Sequence, residues 1–400
     1  MIISPKRNQF MIKTGCVLIL LAVVLCACGP AATAAVTPMA TATETVTRKP
    51  SPTALPTITP SPTLTPLFPV EGYGPSNFPA DVDPLTGLKI ANPSLLQRRP
   101  MLIKVSNLPR NVRPQWGLSL ADIVFEYYAE EGSTRFAAIF YGNDASMVGP
   151  IRSGRFIDYD LVRGYKAVFA FGSAYVAEMQ RFNASDFANR MVVEEPGKPL
   201  TRYDPNGYDY LMVNTADLSA YAARQGFNRV QNLNAMSFKI NAPAGGQAGS
   251  QVFVHYSGAI YNRWDYDAAS GRYLRFVDQQ DDVDRNNEVY APLVDKQNNQ
   301  PVAADNLVVL LIPHQYFVKT KDSEVIKMAF TGSGTAYAFR DGKAYLLKWQ
   351  RSDSNAMLAL TFEDGTPYSF KPGNTWFEVM GASTGLDKKD SYWRFTFSIP

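Results

Sequence analysis

The chain has 400 residues, three cysteines, two histidines and a formal charge of +3. At roughly 100–200 residues per domain there is room for two or three domains, and a hydrophobic share of 46% supports packed cores rather than wholesale disorder. Thirty-nine basic residues against thirty-six acidic ones exclude a strong electrostatic footprint for nucleic acid. Two histidines argue against histidine-rich metal chemistry.

Residues 1–27 read as an export signal. Lys6, Arg7 and Lys13 form a positive n-region, and Thr14 to Ala27 are apolar and uncharged. That stretch is too short for a bilayer core, which needs about 20 residues, but it suits the h-region of a secretory signal. It ends in Leu25-Cys26-Ala27-Cys28, which resembles the lipobox of bacterial lipoproteins and marks Cys28 for lipidation. Cys26 is the poorer candidate because the bulky Leu25 precedes it. Cleavage before Cys28 leaves a formally neutral chain with one thiol, so no internal disulfide forms and thiol catalysis is excluded.

Residues 28–70 read as a Pro/Thr-rich disordered tether. Between 30 and 70, nine residues are Pro and eleven are Thr. Such a stretch has little to bury and favours solvated polyproline II or coil.

The segment 71–240 reads as a mixed α/β (α+β) domain. Strands are expected at Pro100–Val105, Asp122–Tyr128 and Arg135–Tyr141, the last two forming a hairpin about Glu130-Glu131-Gly132-Ser133. A short strand at Lys166–Phe171 and a helix at Ala174–Phe182 follow. Asp209–Val213 reads as a strand feeding a helix capped by Asn214 or Thr215 and ending at Gly226. After the Gly/Ala-rich stretch 241–250, the segment 241–400 reads as a β-rich domain. It has strands near 252–256, 261–266, 272–277 and 306–312, and hairpin signals at Asp341-Gly342 and Asp364-Gly365. Further strands fall at Trp376–Met380 and Tyr392–Ile399.

Several motifs in this region resemble the YerB-like bacterial lipoprotein family. They are Asp83-Pro-Leu-Thr-Gly-Leu88, Arg113-Pro-Gln-Trp-Gly-Leu-Ser119, Ala121-Asp-Ile-Val-Phe-Glu126, Glu131-Gly-Ser-Thr-Arg135 and Val148-Gly-Pro-Ile-Arg-Ser-Gly-Arg155. In the second half they are Asn306-Leu-Val-Val309, Gly332-Ser-Gly-Thr335, Lys348-Trp349 and Gly373-Asn-Thr-Trp376. The resemblance spans roughly 80–380 and implies a membrane-anchored lipoprotein of two coupled domains, known as domain of unknown function 3048, with no established reaction. Gly154 departs from the alanine that relatives often carry.

The densest polar constellation lies between Asp122 and Asp158. Asp122, Glu126 and Glu131 supply carboxylates, Thr134 and Ser153 hydroxyls, and Arg135, Arg152 and Arg155 guanidinium forks that suit carboxylate or phosphate. A helix starting after Pro150 would place Ser153 near anion-binding amides and Arg152 and Arg155 on one face. The pattern fits a ligand site, an internal salt-bridge network or a catalytic centre. Ser153 sits outside a Gly-x-Ser-x-Gly elbow and has no nearby histidine. Glu126 with Glu131 would be a glycosidase-like pair. Neither His255 nor His314 has a second histidine at metal-ligand spacing, and no cofactor motif is present. The expected role is an envelope lipoprotein, anchored to the extracytoplasmic face of the membrane, that binds or scaffolds a cell-wall component or wall-synthesis partner. The alternative is a hydrolase or transferase acting on wall glycan or peptide.

Overall fold

A computed structural model describes residues 68–204, 210–284 and 286–399, all within one compact unit. The export signal, Cys28 and nearly all of the tether lie outside the described residues.

The first half contributes β1 (Met101–Ser106), β2 (Ile123–Glu130), β3 (Ser133–Phe140), β4 (Val168–Ala170) and β5 (Met191–Val192). Its helices are α1 (Phe156–Gly164), α2 (Val176–Asn183) and α3 (Thr215–Arg224). Asn214 caps α3, its Oδ1 accepting from the amides of Ala216 (2.8 Å) and Asp217 (3.3 Å). The second half is nearly all strand: β6 (Gln251–His255), β7 (Tyr261–Asp267), β8 (Arg272–Asp278), β9 (Tyr290–Pro292), β10 (Asn306–Ile312), β11 (His314–Lys319) and β12 (Glu324–Met328). Then come β13 (Gly332–Arg340), β14 (Lys343–Arg351), β15 (Ala359–Thr361), β16 (Thr375–Gly381), β17 (Gly385–Lys389) and β18 (Tyr392–Thr396). Asp341 and Gly342 both take positive φ, 51° and 70°, as the tight β13–β14 turn requires.

The two halves share one sheet. Its strands run β15-β14-β13-β10-β16-β2-β3-β1-β4-β5, and the seam is the parallel pairing of β2 with β16, which places Glu126 opposite Glu378. A second sheet, β9-β8-β7-β6-β18-β17, packs on one face. Because side chains alternate along a strand, β2 serves two cores. Val124 and Tyr128 join Trp264, Tyr273 and Trp393 of the second sheet, together with Leu218 of α3. Ile123, Phe125 and Tyr127 join Ile157 and Leu161 of α1 and Phe182 of α2 on the opposite face. A strand covered on both sides reads as an unbroken apolar run, and only the last residue of β2 is not fully buried.

One expectation needs correction. The segment after Pro150 is extended rather than helical: Ile151 bridges Val105, and α1 begins only at Phe156. Arg152 and Arg155 therefore do not share a helix face, and Ser153 lies outside the helix start. The Asp364-Gly365 turn closes a short hairpin, with the Phe362 amide donating to the Thr366 carbonyl (2.8 Å) and the Tyr368 amide to the Leu360 carbonyl (2.9 Å), but its second arm is brief, since Ser369–Phe370 leave to pair with Ser237–Phe238.

Candidate functional site

The β2–β3 turn raises Glu130 and Glu131 above the sheet, and Glu324 of β12 clasps it. The Glu131 amide (2.6 Å) and the Tyr128 hydroxyl (3.1 Å) both donate to Glu324 Oε2. Beside the turn runs the extended segment 151–155. The Arg152 amide donates to the Lys104 carbonyl (3.1 Å), while its guanidinium donates to Ser106 Oγ (3.1 Å) and the Leu108 carbonyl (3.3 Å). Arg135 reaches over from β3 to the Ser153 carbonyl (2.9 Å) and to Glu130 Oε1. Arg155 takes the other oxygen of Glu130 and lies 3.6 Å from Glu178. One carboxylate thus serves two guanidinium groups. Burial, together with the Arg155 charge and partly offset by Glu130, pulls Arg135 down to about 10. Ser153 Oγ pairs with Ser173 Oγ at 2.9 Å.

These residues border an open cleft of about 610 Å³. Arg110, Arg135, Arg152, Thr134 and Glu131 line it, together with Ala259 and Asp281 of the second half. Arg110 donates to Asp278 Oδ2 (2.6 Å), Asp281 Oδ1 (2.8 Å) and the Ala259 carbonyl (2.8 Å), so the cleft opens where the two halves meet. Two smaller cavities, of about 320 and 210 Å³, adjoin it. The first shares Glu130 and Glu131 with the large cleft and the second shares Arg152; Ser153 lines both.

Beneath this surface lies a second polar layer. Lys104 contacts the Tyr127 hydroxyl and sits 3.3 Å from Asp158, and Tyr127 donates to Asp158 at 2.6 Å. Burial, relieved by Asp158 and deepened by Arg135, brings the Lys104 ammonium down to about 8. Asp158 also accepts from the Arg155 amide (2.7 Å), capping α1. Glu178 accepts from the Phe156 and Tyr175 amides, each at 3.1 Å, and so holds the first turns of α1 and α2 together. Burial, only partly offset by Arg155 and by these amides, raises Glu178 to about 7. Gly154 has a local reason: a Cβ there would stand 2.9 Å from the Phe182 ring and 3.1 Å from the Phe169 ring.

Three expected site residues lie elsewhere or face inward. Asp122 is buried, accepting from the amides of Tyr141 (2.5 Å) and Gly142 (3.0 Å) and from Asn143 Nδ2 (3.2 Å). Glu126 is buried at the seam, where Arg275 of β8 donates to its Oε2 (2.5 Å) and to Glu378 Oε1 (3.0 Å). Trp264 Nε1 (2.9 Å) and the Tyr256 hydroxyl (3.1 Å) complete the shell of Glu378. Thr134 borders the cleft, yet its hydroxyl donates inward to Glu126 (2.7 Å). Glu126 and Glu131 therefore do not face each other across a substrate groove: one is sealed against Arg275 and the other is exposed. Sequence reasoning missed Arg110, Lys104, Arg275 and Glu378. A local signal existed for Arg275, which shares the inward phase of β8 with Tyr273 and Val277.

The family comparison follows the same two halves. The chain matches the model described as protein of unknown function (DUF3048), N-terminal domain, over residues 85–228, and the C-terminal domain model over residues 252–377. It belongs to that family. It is 28% identical over 303 residues to the Bacillus subtilis (strain 168) protein named "Putative lipoprotein YerB", covering 74% of this chain and 85% of that protein. The crystal structure of YerB protein from Bacillus subtilis superposes with a TM-score of 0.63 at 25% identity, covering 75% of this chain and 96% of that one.

Proposed function

We propose that this protein is a lipid-anchored envelope protein whose arginine-lined cleft binds a carboxylate- or phosphate-bearing component of the cell wall. The lipobox at Cys28 and the name of the Bacillus relative support the anchor. Among the described residues, no helix is long and apolar enough to cross a membrane. The observation that carries the binding role is the convergence of Arg110, Arg135 and Arg152 on one open cleft, with Glu130 shared between Arg135 and Arg155. Guanidinium forks held by neighbouring carbonyls and carboxylates are pre-oriented for two-point anion recognition.

The test is calorimetric titration of the whole detergent-solubilised chain with soluble wall peptides bearing free carboxylates and with a phosphate-bearing wall polymer. Saturable binding to one of them, weakened at least about tenfold in Arg152→Ala, is expected; about 1.4 kcal/mol corresponds to that factor. Absence of saturable binding to either, or equal affinity in the variant, would overturn the reading.

A further inference from the structure

The loop between β8 and β9 meets the chain just past β6, where the Asp282 amide donates to the Gly258 carbonyl (2.7 Å). His255 closes β6, and Asp282 and Glu288 stand in and at the end of that loop. Each of the three offers one donor atom, and these atoms lie within 4.8 Å of one another. All three are withdrawn from solvent to differing degrees, with His255 at 5% and Asp282 at 1% exposure.

Asp282 gives the independent sign that something belongs there. Its Oδ1 accepts from the amides of Asn286 (2.9 Å) and Asn287 (2.8 Å), whereas its Oδ2 is buried with no hydrogen-bond partner. An unsatisfied carboxylate oxygen in the interior is costly, and a cation is what such an atom accepts.

From this geometry we infer that His255, Asp282 and Glu288 form a binding site for a first-row divalent cation of the zinc type. One imidazole with two carboxylates is a donor set for such ions; calcium and magnesium prefer oxygen alone. Donors around one tetrahedral ion stand about 3.4 Å apart, so the cluster needs to contract by at most about 1.4 Å. The outer shell is in place. Arg394 grips both oxygens of Glu288, and the Tyr290 hydroxyl donates to its Oε2 at 2.6 Å. A carboxylate has about four lone-pair sites, so these contacts leave room for a metal bond while fixing the group's orientation. Tyr261, stacked parallel to His255, anchors the loop through the Gln280 carbonyl (2.9 Å) and the Val289 amide (3.0 Å).

The ion's role is structural: it fastens the loop that carries Asp281 to Arg110 on the cleft wall.

The test uses the whole untagged chain, stripped with EDTA and dialysed against zinc chloride. The expected result is one tightly held zinc per chain, reduced by one in Asp282→Asn. A readout without site variants is available because the chain has only two histidines. Zinc should shift one imidazole signal in the NMR spectrum, and that signal should persist in His314→Gln. A wild-type chain that retains no zinc, or imidazole signals that both ignore zinc, would overturn the inference. So would a zinc content unchanged in a folded Asp282→Asn.

Discussion

Arg152 and Arg155 are three residues apart, yet truncating them should show in different measurements. Arg155 is 9% exposed and holds Glu130 while facing Glu178; Glu130 keeps Arg135 and Glu178 keeps its two amides, so Arg155→Ala should cost about 2 kcal/mol, the worth of one charged hydrogen bond. Arg152 borders two cavities, so Arg152→Ala should show as lost anion binding. Urea unfolding of Arg155→Ala and ligand titration of Arg152→Ala check the pair. A second residue-scale expectation concerns Asp122 and its neighbour Asp83. Burial raises Asp122 to about 6 despite its three donors, and burial with the Asp122 charge raises Asp83 well above its ordinary value. Both carboxyls favour the protonated form in the folded chain. The stabilisation from Asp122 is therefore full below the ordinary value of 3.8 and is lost as pH rises through about 6, and Asp83 acts in the same direction. Stability should fall by about 2–3 kcal/mol across that window, and the fall should flatten in Asp122→Asn when melts are compared at several pH values.

Among the elements, α1 and α2 depend on a device with no local signature. Glu178 caps both first turns at once, so Glu178→Ala should cost about 2 kcal/mol, roughly one cap for each helix. Hydrogen exchange should accelerate at the Phe156 and Tyr175 amides together; acceleration at only one would show that the helices are held separately. The same elements mark where sequence reading succeeds. Strands β1 to β3, β6 to β8, β10, β13, β14, β16 and β18 were legible because alternation or an apolar run matched their burial. The helix α3 was legible from Asn214 at its start. By contrast, α1 was expected directly after Pro150 and starts only at Phe156; Asp158 and Asp160 point inward with Ile157 and Leu161, which erases the polar face that would mark its span. The hairpin β11–β12 escaped for the reverse reason, being short and largely exposed on β11. Arg135 and Arg152 were visible as residue types, but Arg110 was not, because its role depends on Asp278 and Asp281, far away in sequence.

At the scale of the molecule, the question is whether the two family segments unfold separately. The seam argues against it. β2 and β16 pair in parallel across it, and Arg275 of the second sheet clamps the two facing carboxylates, Glu126 and Glu378. The guanidinium also lies 4.5 Å from the Trp376 ring and 5.0 Å from that of Trp264. Neither half can keep its edge of the shared sheet satisfied if the other leaves, because buried strand edges must pair. Thermal unfolding should therefore be a single transition, with far-ultraviolet dichroism and tryptophan fluorescence coincident. Removing the clamp leaves two buried carboxylates facing each other. Arg275→Met should accordingly lose about 3–5 kcal/mol at pH 9, above the range where Glu378 takes up a proton. The loss should shrink on acidification, because burial and the Glu126 charge already hold Glu378 up at about 8, and a protonated Glu378 no longer repels its neighbour. Two separated transitions in the wild-type chain, or an Arg275→Met penalty that does not diminish from pH 9 to pH 5, would mean that the halves are joined by apolar packing rather than by this clamp.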